Sequence, residues 1–559
     1  MSKKIVIIGG VAGGATAAAR LRRLDEQSHI VLFERGEHIS FANCGLPYYI
    51  GEVIQNRQKL LVQTVAGMSK KFALDIRNLT EIIAINREHK TVTALDLAKG
   101  ETYEESYDTL ILSPGARAIM PDIEGIHEAE HLYTLRNIPD TDRIKAVVDE
   151  TNPKHAVVIG GGFIGLEMVE NLVHRGMKVT IVQVSNQVMG PLDYEMASLV
   201  HAHLKEKGVE ILFNDQVTEF KNHGRRLVLA SGKELESELT IMSIGVKPEN
   251  ELAKQADLEI GERGGIVVNE FLQTSDKDIY AIGDAIQVKD YIFGFDTMLP
   301  LAGPANRQGR IVADNIYGKK KMPYKGILGT AVAKVFDLTV AVTGHNEKTL
   351  KHLGKEYEAV HIHPASHAGY YPGGSPISLK LTFNKEDGTI YGVQAVGKVG
   401  VEKRVDVVAT AIKAGMTVYD LADLELSYAP PFSSAKDPVN MLGYVASNVV
   451  DGDVKVVHYN QIDELVEGGA ILVDVRDPHE RENGYIPHSI NIPLGEIRDR
   501  LHELPGDQTI YVSCQVGLRG YLACRILSLH GYDVVNVSGG WKTYASVYGV
   551  QKQQHSFNK

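Results

Sequence analysis

Cysteine is scarce in this chain, so where it sits is informative. The 559 residues hold three, Cys44, Cys514 and Cys524. Cys44 lies in SFANCGLPY (Ser40 to Tyr48), a polar loop of small and turn-forming residues such as Ala42, Asn43, Gly45 and Pro47. A thiol becomes a useful nucleophile when a helix amino terminus or a cation lowers its pKa. The alternative role for a lone cysteine is that of a small buried hydrophobe. No partner cysteine lies four or five residues away, so a local redox disulfide is excluded and an external sulfur must complete the cycle. Cys514 begins CQVGLRG, a loop opening a helix pattern, where backbone N–H groups can converge on an anion at the sulfur. Cys524, further along the same apolar helix pattern, reads as core. Three cysteines cannot build a disulfide framework. With no CxxC and no zinc spacing among the histidines, no metal site is expected.

The elements before and after Cys44 look built to deliver electrons to it. Lys4 to Ile8 is a β-branched run that meets a glycine turn and an alanine-rich helix pattern, GGVAGGATAAARLRRL. Gly9 and Gly14 take the outer positions of GxGxxG, with Val11 in the middle. Such glycines let the backbone approach a pyrophosphate seated on the helix amino terminus. The next strand, HIVLFER, ends in Glu34, where a ribose-binding acid belongs. Arg20 and Arg23 share one helix face, either as a solvated face or as a cradle for the phosphates of an anionic substrate.

A second unit follows TLILSPGARA (Thr109 to Ala118). In HAVVIGGGFIGLEMVENL, Gly160, Gly162 and Gly165 complete GxGxxG between strand and helix. The following strand, KVTIVQV, puts Gln183 at the acid's position, with few cations after it, which favours NADH while leaving NADPH open. TSDKDIYAIGDA places Asp284 after Gly283 at a strand end, where an acid can accept from flavin ribityl hydroxyls.

Taken together, GGVAGG with Glu34, SFANCGLPY, SPG, GGGFIG and TSDKDIYAIGDA resemble the flavoprotein disulfide reductases of the pyridine nucleotide-disulfide oxidoreductase family, over Met1 to about Lys325. SFxxCGLPY resembles the single-cysteine branch, and the lack of a histidine in the first glycine loop favours the coenzyme A disulfide reductases over the oxidases and peroxidases. The resemblance implies FAD and NADH as cofactors, held by Gly9, Val11, Ala12, Gly13, Gly14, Glu34, Arg35, Asn43, Ser113, Arg136, Gly160, Gly162, Gly165, Gly283, Asp284 and Ala302. It implies coenzyme A at Thr16, Arg20, Arg23, Ser40, Asn43, Lys71 and Lys436. Residues from Lys325 to about Val445 resemble the family's dimerisation domain. There Tyr370 and Tyr428 would reach the nucleophilic sulfur of the other subunit in a homodimer. At the carboxyl end, DVRDPHE, YIPHSINIP, CQVGLRG and VSGGW resemble the rhodanese domain, whose cysteine, here Cys514, carries a persulfide. Four residues separate Cys514 from Arg519, one fewer than in related phosphatases, which favours sulfur over phosphate.

The expected fold class is α/β, with two Rossmann-like domains, an α+β dimerisation domain and an α/β rhodanese domain. The expected boundaries are 1–115 with 251–325 for FAD, 116–250 for NAD(P)H, 326–446 for dimerisation, 447–457 as a linker, and 458–559 for the rhodanese. A formal charge of −11 argues against nucleic acid as a partner. No apolar run approaches the ~18 residues of a membrane span, and MSKKIVIIGG reads as a first strand, so a cytoplasmic location is expected. The expected activity is reduction of persulfide, polysulfide and coenzyme A disulfide bonds through Cys44. The alternatives are an NADH oxidase or peroxidase reducing oxygen or peroxide, and chiefly a rhodanese sulfurtransferase.

Overall fold

The computed structural model describes residues 3–318 and 321–549, and these fall into two compact units: 1–186 with 209–328, and 187–208 with 329 onward. No helix among the described residues is long and apolar enough to cross a membrane.

The first unit contains two parallel five-stranded sheets of like design. In one, Lys4–Ile8 lies between His29–Phe33 and Thr109–Leu112, with Ile279–Ala281 and Asp75–Arg77 at the edges. In the other, His155–Ile159 lies between Lys178–Gln183 and Leu239–Met242. The central strands are buried on both faces, which explains their unbroken apolar runs. In each sheet the central strand leads straight into a helix, Ala12–Leu24 or Phe163–His174. Each sheet has an antiparallel three-stranded companion. Helix Ala302–Tyr317 packs along Ala12–Leu24. A Cβ on Gly309 would stand 2.5 Å from the Gly13 carbonyl oxygen, so glycine permits this close crossing.

The second unit holds a five-stranded antiparallel sheet in the order Ala331–Val335, Leu338–Gly344, Ile390–Gly397, Ile377–Phe383, Glu358–Ile362. It also holds a parallel five-stranded sheet built from Lys455–Val457, Val534–Val537, Ile510–Ser513, Ile471–Asp474 and Ile490–Asn491. Segment 187–208, inside the stretch expected to bind NAD(P)H, clusters with this unit and contributes helix Tyr194–Glu206. The stretch expected as a linker, 447–457, is mostly regular structure. Helix Pro438–Val450 runs into it, started by an Asp437 capping box, and Lys455–Val457 pairs with Val535–Val537. Only the turn between them connects.

Candidate active site

The loop carrying Cys44 is fixed at both ends. Ser40 sits at φ +44° and its N–H donates to the Gly10 carbonyl at 2.9 Å, which ties the loop to the first glycine turn. Asn43–Gly45 forms a single 3₁₀ turn, followed by the short helix Leu46–Ile50 with Pro47 in its first turn. A Cβ on Gly51 would come within 1.9 Å of Asn171 Oδ1, so glycine lets this helix end rest on Phe163–His174, the helix of the second glycine loop. Cys44 is therefore an exposed residue in a turn that leads into a helix packed on Phe163–His174.

Asn43, Arg136, Asp284 and Glu167 gather around its loop. Asn43 Nδ2 donates to the Arg136 carbonyl at 3.5 Å, and the Arg136 guanidinium lies 3.6 Å from Asp284. Burial raises the Asp284 pKa against the pull of Arg136. Glu167, on the second glycine-loop helix, accepts from the Tyr48 hydroxyl at 3.5 Å, and burial pushes its carboxyl up to about 7. The Cys44 thiol is raised by burial, then by the Glu167 and Asp284 carboxylates. A helix amino terminus or a nearby cation would lower it. The surroundings work the other way, because the nearby helix has only five residues and the facing charges are acidic.

The first glycine turn fits a dinucleotide. Gly9 has φ +97°, and a Cβ on Gly14 would stand 1.8 Å from the Gly9 carbonyl oxygen. Val11 caps the helix and Ala12 begins it. Glu34 accepts from the N–H groups of Gly10 at 2.8 Å and Gly36 at 2.9 Å, which holds its carboxylate at the turn. Ser113 Oγ lies beside Gly13 and Gly283, while Gly283 donates its N–H to the buried Gln308 at 2.7 Å. Ala302 opens the helix that carries Gln308. Arg35 is drawn to Glu249 at 3.0 Å. In the second turn, Gly160 has φ +104° and Gly165 touches its carbonyl, whereas a Cβ on Gly162 would meet no atom within 4 Å. That open face is where a pyrophosphate can approach. Gln183 accepts from Gly161 N–H at 2.7 Å, as Glu34 does from Gly10, so a neutral amide stands in for the acid.

Of the residues expected to meet coenzyme A, Thr16 bonds Asn306 at 2.6 Å and Arg20 pairs with Asp314 at 2.6 Å, while Arg23 and Lys71 are exposed. Arg22, on the opposite side of the same helix, is buried and donates to five carbonyls. In the second unit the hydroxyls of Tyr370 and Tyr428 lie 2.6 Å apart, both rings are exposed, and Lys436 is exposed nearby in sequence.

Cys514 is fully buried, and the N–H of Gly517 donates to its Sγ at 3.1 Å. Gly517, at φ +98°, caps helix Leu518–Leu529. Arg519 is held by Glu480 through two 2.6 Å bonds, and that pairing draws the Glu480 carboxyl down to about 2. Cys524 is buried in the helix core, and its thiol is pushed up to about 12. Glu167, Gln308 and Glu480 were not singled out from sequence. Only Glu480 left a local signal there, as the fourth residue of the capping box Asp477–Glu480.

Two dinucleotide-type turns with an exposed thiol between them define a thiol oxidoreductase fed by nucleotide cofactors. The family model for pyridine nucleotide-disulphide oxidoreductases matches residues 3–309, and the chain belongs to that family. Its dimerisation-domain model matches 330–438, and the rhodanese-like domain model matches 459–546. The coenzyme A disulfide reductase of Staphylococcus epidermidis is 38% identical over 443 residues, which is 79% of this chain and 99% of that protein. Reduced Bacillus anthracis CoADR-RHD is 61% identical with a TM-score of 0.97, covering 98% of both chains. An NAD-dependent persulfide reductase from A. fulgidus is 38% identical with a TM-score of 0.90, covering 97% of this chain and 100% of that one.

Proposed function

We propose that this flavoprotein disulfide reductase uses NADH to reduce persulfides and coenzyme A disulfide at Cys44, with Cys514 as a separate carrier of sulfane sulfur. The observation behind this reading is the convergence of the exposed Cys44 with Asn43, Arg136 and Asp284 between two glycine turns that fit dinucleotides. Gly9, Gly13, Gly14, Glu34, Ser113 and Asp284 suit FAD. Gly160, Gly162 and Gly165 suit NADH, and the uncharged Gln183 leaves NADPH acceptable. A flavin bound there would supply two-electron redox chemistry between a nicotinamide and a sulfur.

The chain's own residues handle the sulfur chemistry. Cys44 attacks one sulfur of an R–S–S–R′ substrate; that bond breaks, R′S⁻ leaves, and a Cys44–S–S–R mixed disulfide remains until two electrons release RS⁻ and restore the thiolate. Tyr370 and Tyr428, supplied by the second subunit of a homodimer, give a proton to the departing thiolate. The exposed Tyr370 and Phe432 support such an interface. Thr16, Arg20, Arg23, Ser40, Lys71 and Lys436 orient coenzyme A, and the cytoplasm is the compartment where these substrates are reduced. The catalytic body spans domains near 1–115 with 251–325, 116–250 and 326–446.

The test is NADH oxidation with coenzyme A disulfide, coenzyme A persulfide and oxygen, each with the wild type and with Cys44→Ser. Turnover on the sulfur substrates, lost in a variant that stays yellow, is expected. Turnover on oxygen alone, or turnover retained by Cys44→Ser, would overturn the proposal.

A further inference from the structure

The second unit contains a polar cluster with no part in the chemistry above. Lys380, fully buried in strand Ile377–Phe383, binds Glu195 and lies 2.9 Å from Asp193 and 3.0 Å from Glu347. Glu195 in turn holds His361 Nε2 at 2.9 Å. His361 belongs to Glu358–Ile362, the edge strand of the antiparallel sheet. Its backbone N–H donates to Ser538 Oγ at 3.0 Å, and its Nδ1 lies 3.1 Å from the same oxygen. These bonds suit one arrangement, in which Nε2–H donates to Glu195 and Nδ1 accepts from the Ser538 hydroxyl. Two residues on, and hence on the same face of the strand, His363 Nε2 meets Thr543 Oγ1 at 2.9 Å.

Ser538 to Thr543 is also the segment that braces the loop of Cys514. Trp541 N–H donates to the Cys514 carbonyl at 2.7 Å and Lys542 N–H to the Gln515 carbonyl at 3.0 Å. A Cβ on Gly540 would stand 2.3 Å from the Cys514 carbonyl oxygen, and one on Gly539 would stand 2.9 Å from His361 Cβ. One side of this turn therefore rests on the histidine strand and the other on the cysteine backbone, with glycine at both contacts.

We propose that His361, oriented by Glu195 and Lys380, is a positioning residue for the sulfur-carrying loop, acting on Cys514 through the Ser538–Gly540 turn. The antiparallel sheet then sets where the Cys514 sulfur stands. Sulfur transfer depends on this contact although His361 touches neither the sulfur nor its donor. A displacement of about 1 Å at a reacting atom can lower a rate by about 100-fold, so loosening the Ser538–Gly540 turn by less should cost about tenfold. The inference rests on the reading of Cys514 as the sulfur carrier.

The experiment uses the full-length, FAD-loaded protein as His361→Ala, His361→Gln and Ser538→Ala. Thiosulfate-to-cyanide transfer is measured with kcat and KM separated, and iodoacetamide labelling of Cys514 and Cys44 is followed by peptide mass spectrometry. His361→Ala and Ser538→Ala should lower the transfer kcat about tenfold, with KM for thiosulfate within about twofold and NADH-linked turnover within about twofold. Labelling of the buried Cys514 should quicken about fivefold while Cys44 is unchanged. His361→Gln, which keeps an amide for Glu195 and Ser538, should recover most of the rate. If His361→Ala loses its flavin or its fold, Thr543→Val, which removes one hydroxyl, should still change Cys514 labelling about twofold. Wild-type kcat and labelling in all the variants would overturn the inference, as would equal losses in transfer and NADH-linked turnover. If the wild type transfers no sulfur from thiosulfate, the carrier reading fails. The labelling rates then decide the positioning inference by themselves.

Discussion

Lys380→Met removes the cation that pairs with the buried carboxylates of Asp193 and Glu195 and the part-buried carboxylate of Glu347 while keeping most of the side-chain volume. In the wild type, burial works against the charge on Lys380, but the three carboxylates outweigh it and its pKa is raised. Burial likewise works against the charge on Glu195, yet Lys380 and His361 hold its carboxyl well below the usual range. A depressed carboxyl contributes stability that is present above its unfolded pKa, about 4.3, and lost as pH falls through the folded value. A raised lysine contributes stability that is present below about 10.4 and lost as pH rises through the folded value. The wild-type cluster is therefore at full strength from about pH 5 to 10. Breaking a buried pair by removing one partner costs about 3–5 kcal/mol. At about 2–4 °C per kcal/mol for a unit of this size, that is a fall in Tm of about 6–20 °C. Without the lysine, burial pushes the carboxyls up, so the sign reverses: the variant should recover stability as pH drops from 8 toward about 5.5, where the wild type stays flat. The chain's one tryptophan, Trp541, is buried in the same unit, so its fluorescence reports this melting directly. A Tm within about 2 °C of wild type, or a loss that does not change with pH, would refute the electrostatic account.

Glu167→Gln should lower the midpoint for Cys44 alkylation and speed labelling at pH 7.5 about fivefold, because a carboxylate that raises the thiol pKa is gone; an unchanged pH profile would count against it. Gly14→Ala should yield protein without the flavin absorbance band, since the new Cβ would collide with the Gly9 carbonyl. Cys514→Ser should lose thiosulfate–thiol sulfur transfer and keep NADH-dependent reduction of small disulfides, measured side by side on one preparation.

What could be read from sequence was local. The two glycine turns, Glu34, Asp284 and the Cys44 loop each occupy a few adjacent residues, because a phosphate cradle or a strand-end acid is made by one βα junction. Gln183 showed only as a missing acid, and its hydrogen bond to Gly161 became visible once the strand was seen beside its own glycine turn. The charge around Cys44 is not legible in sequence for the same reason: Glu167 and Asp284 come from distant parts of the chain, and no local pattern reports a neighbour's sign. The Lys380 cluster draws on residues between 193 and 380, and its one trace in sequence is a lysine inside the apolar strand ISLKLTF. Residues 447–457 read as a linker, yet the end of a helix and a short strand claim most of them.

The bond from His361 N–H to Ser538 bears on how such a chain can be dissected. Glu358–Ile362 pairs on one side only, so its outer edge is a row of backbone groups that would otherwise template a foreign strand. The carboxy-terminal module finishes that edge with a serine hydroxyl and two side-chain bonds to histidines. A gene cut cleanly between the two halves would thus leave a raw edge on one fragment and a slack turn on the other. The junction behaves as a graft, and the two parts are best compared by point substitution in the intact chain.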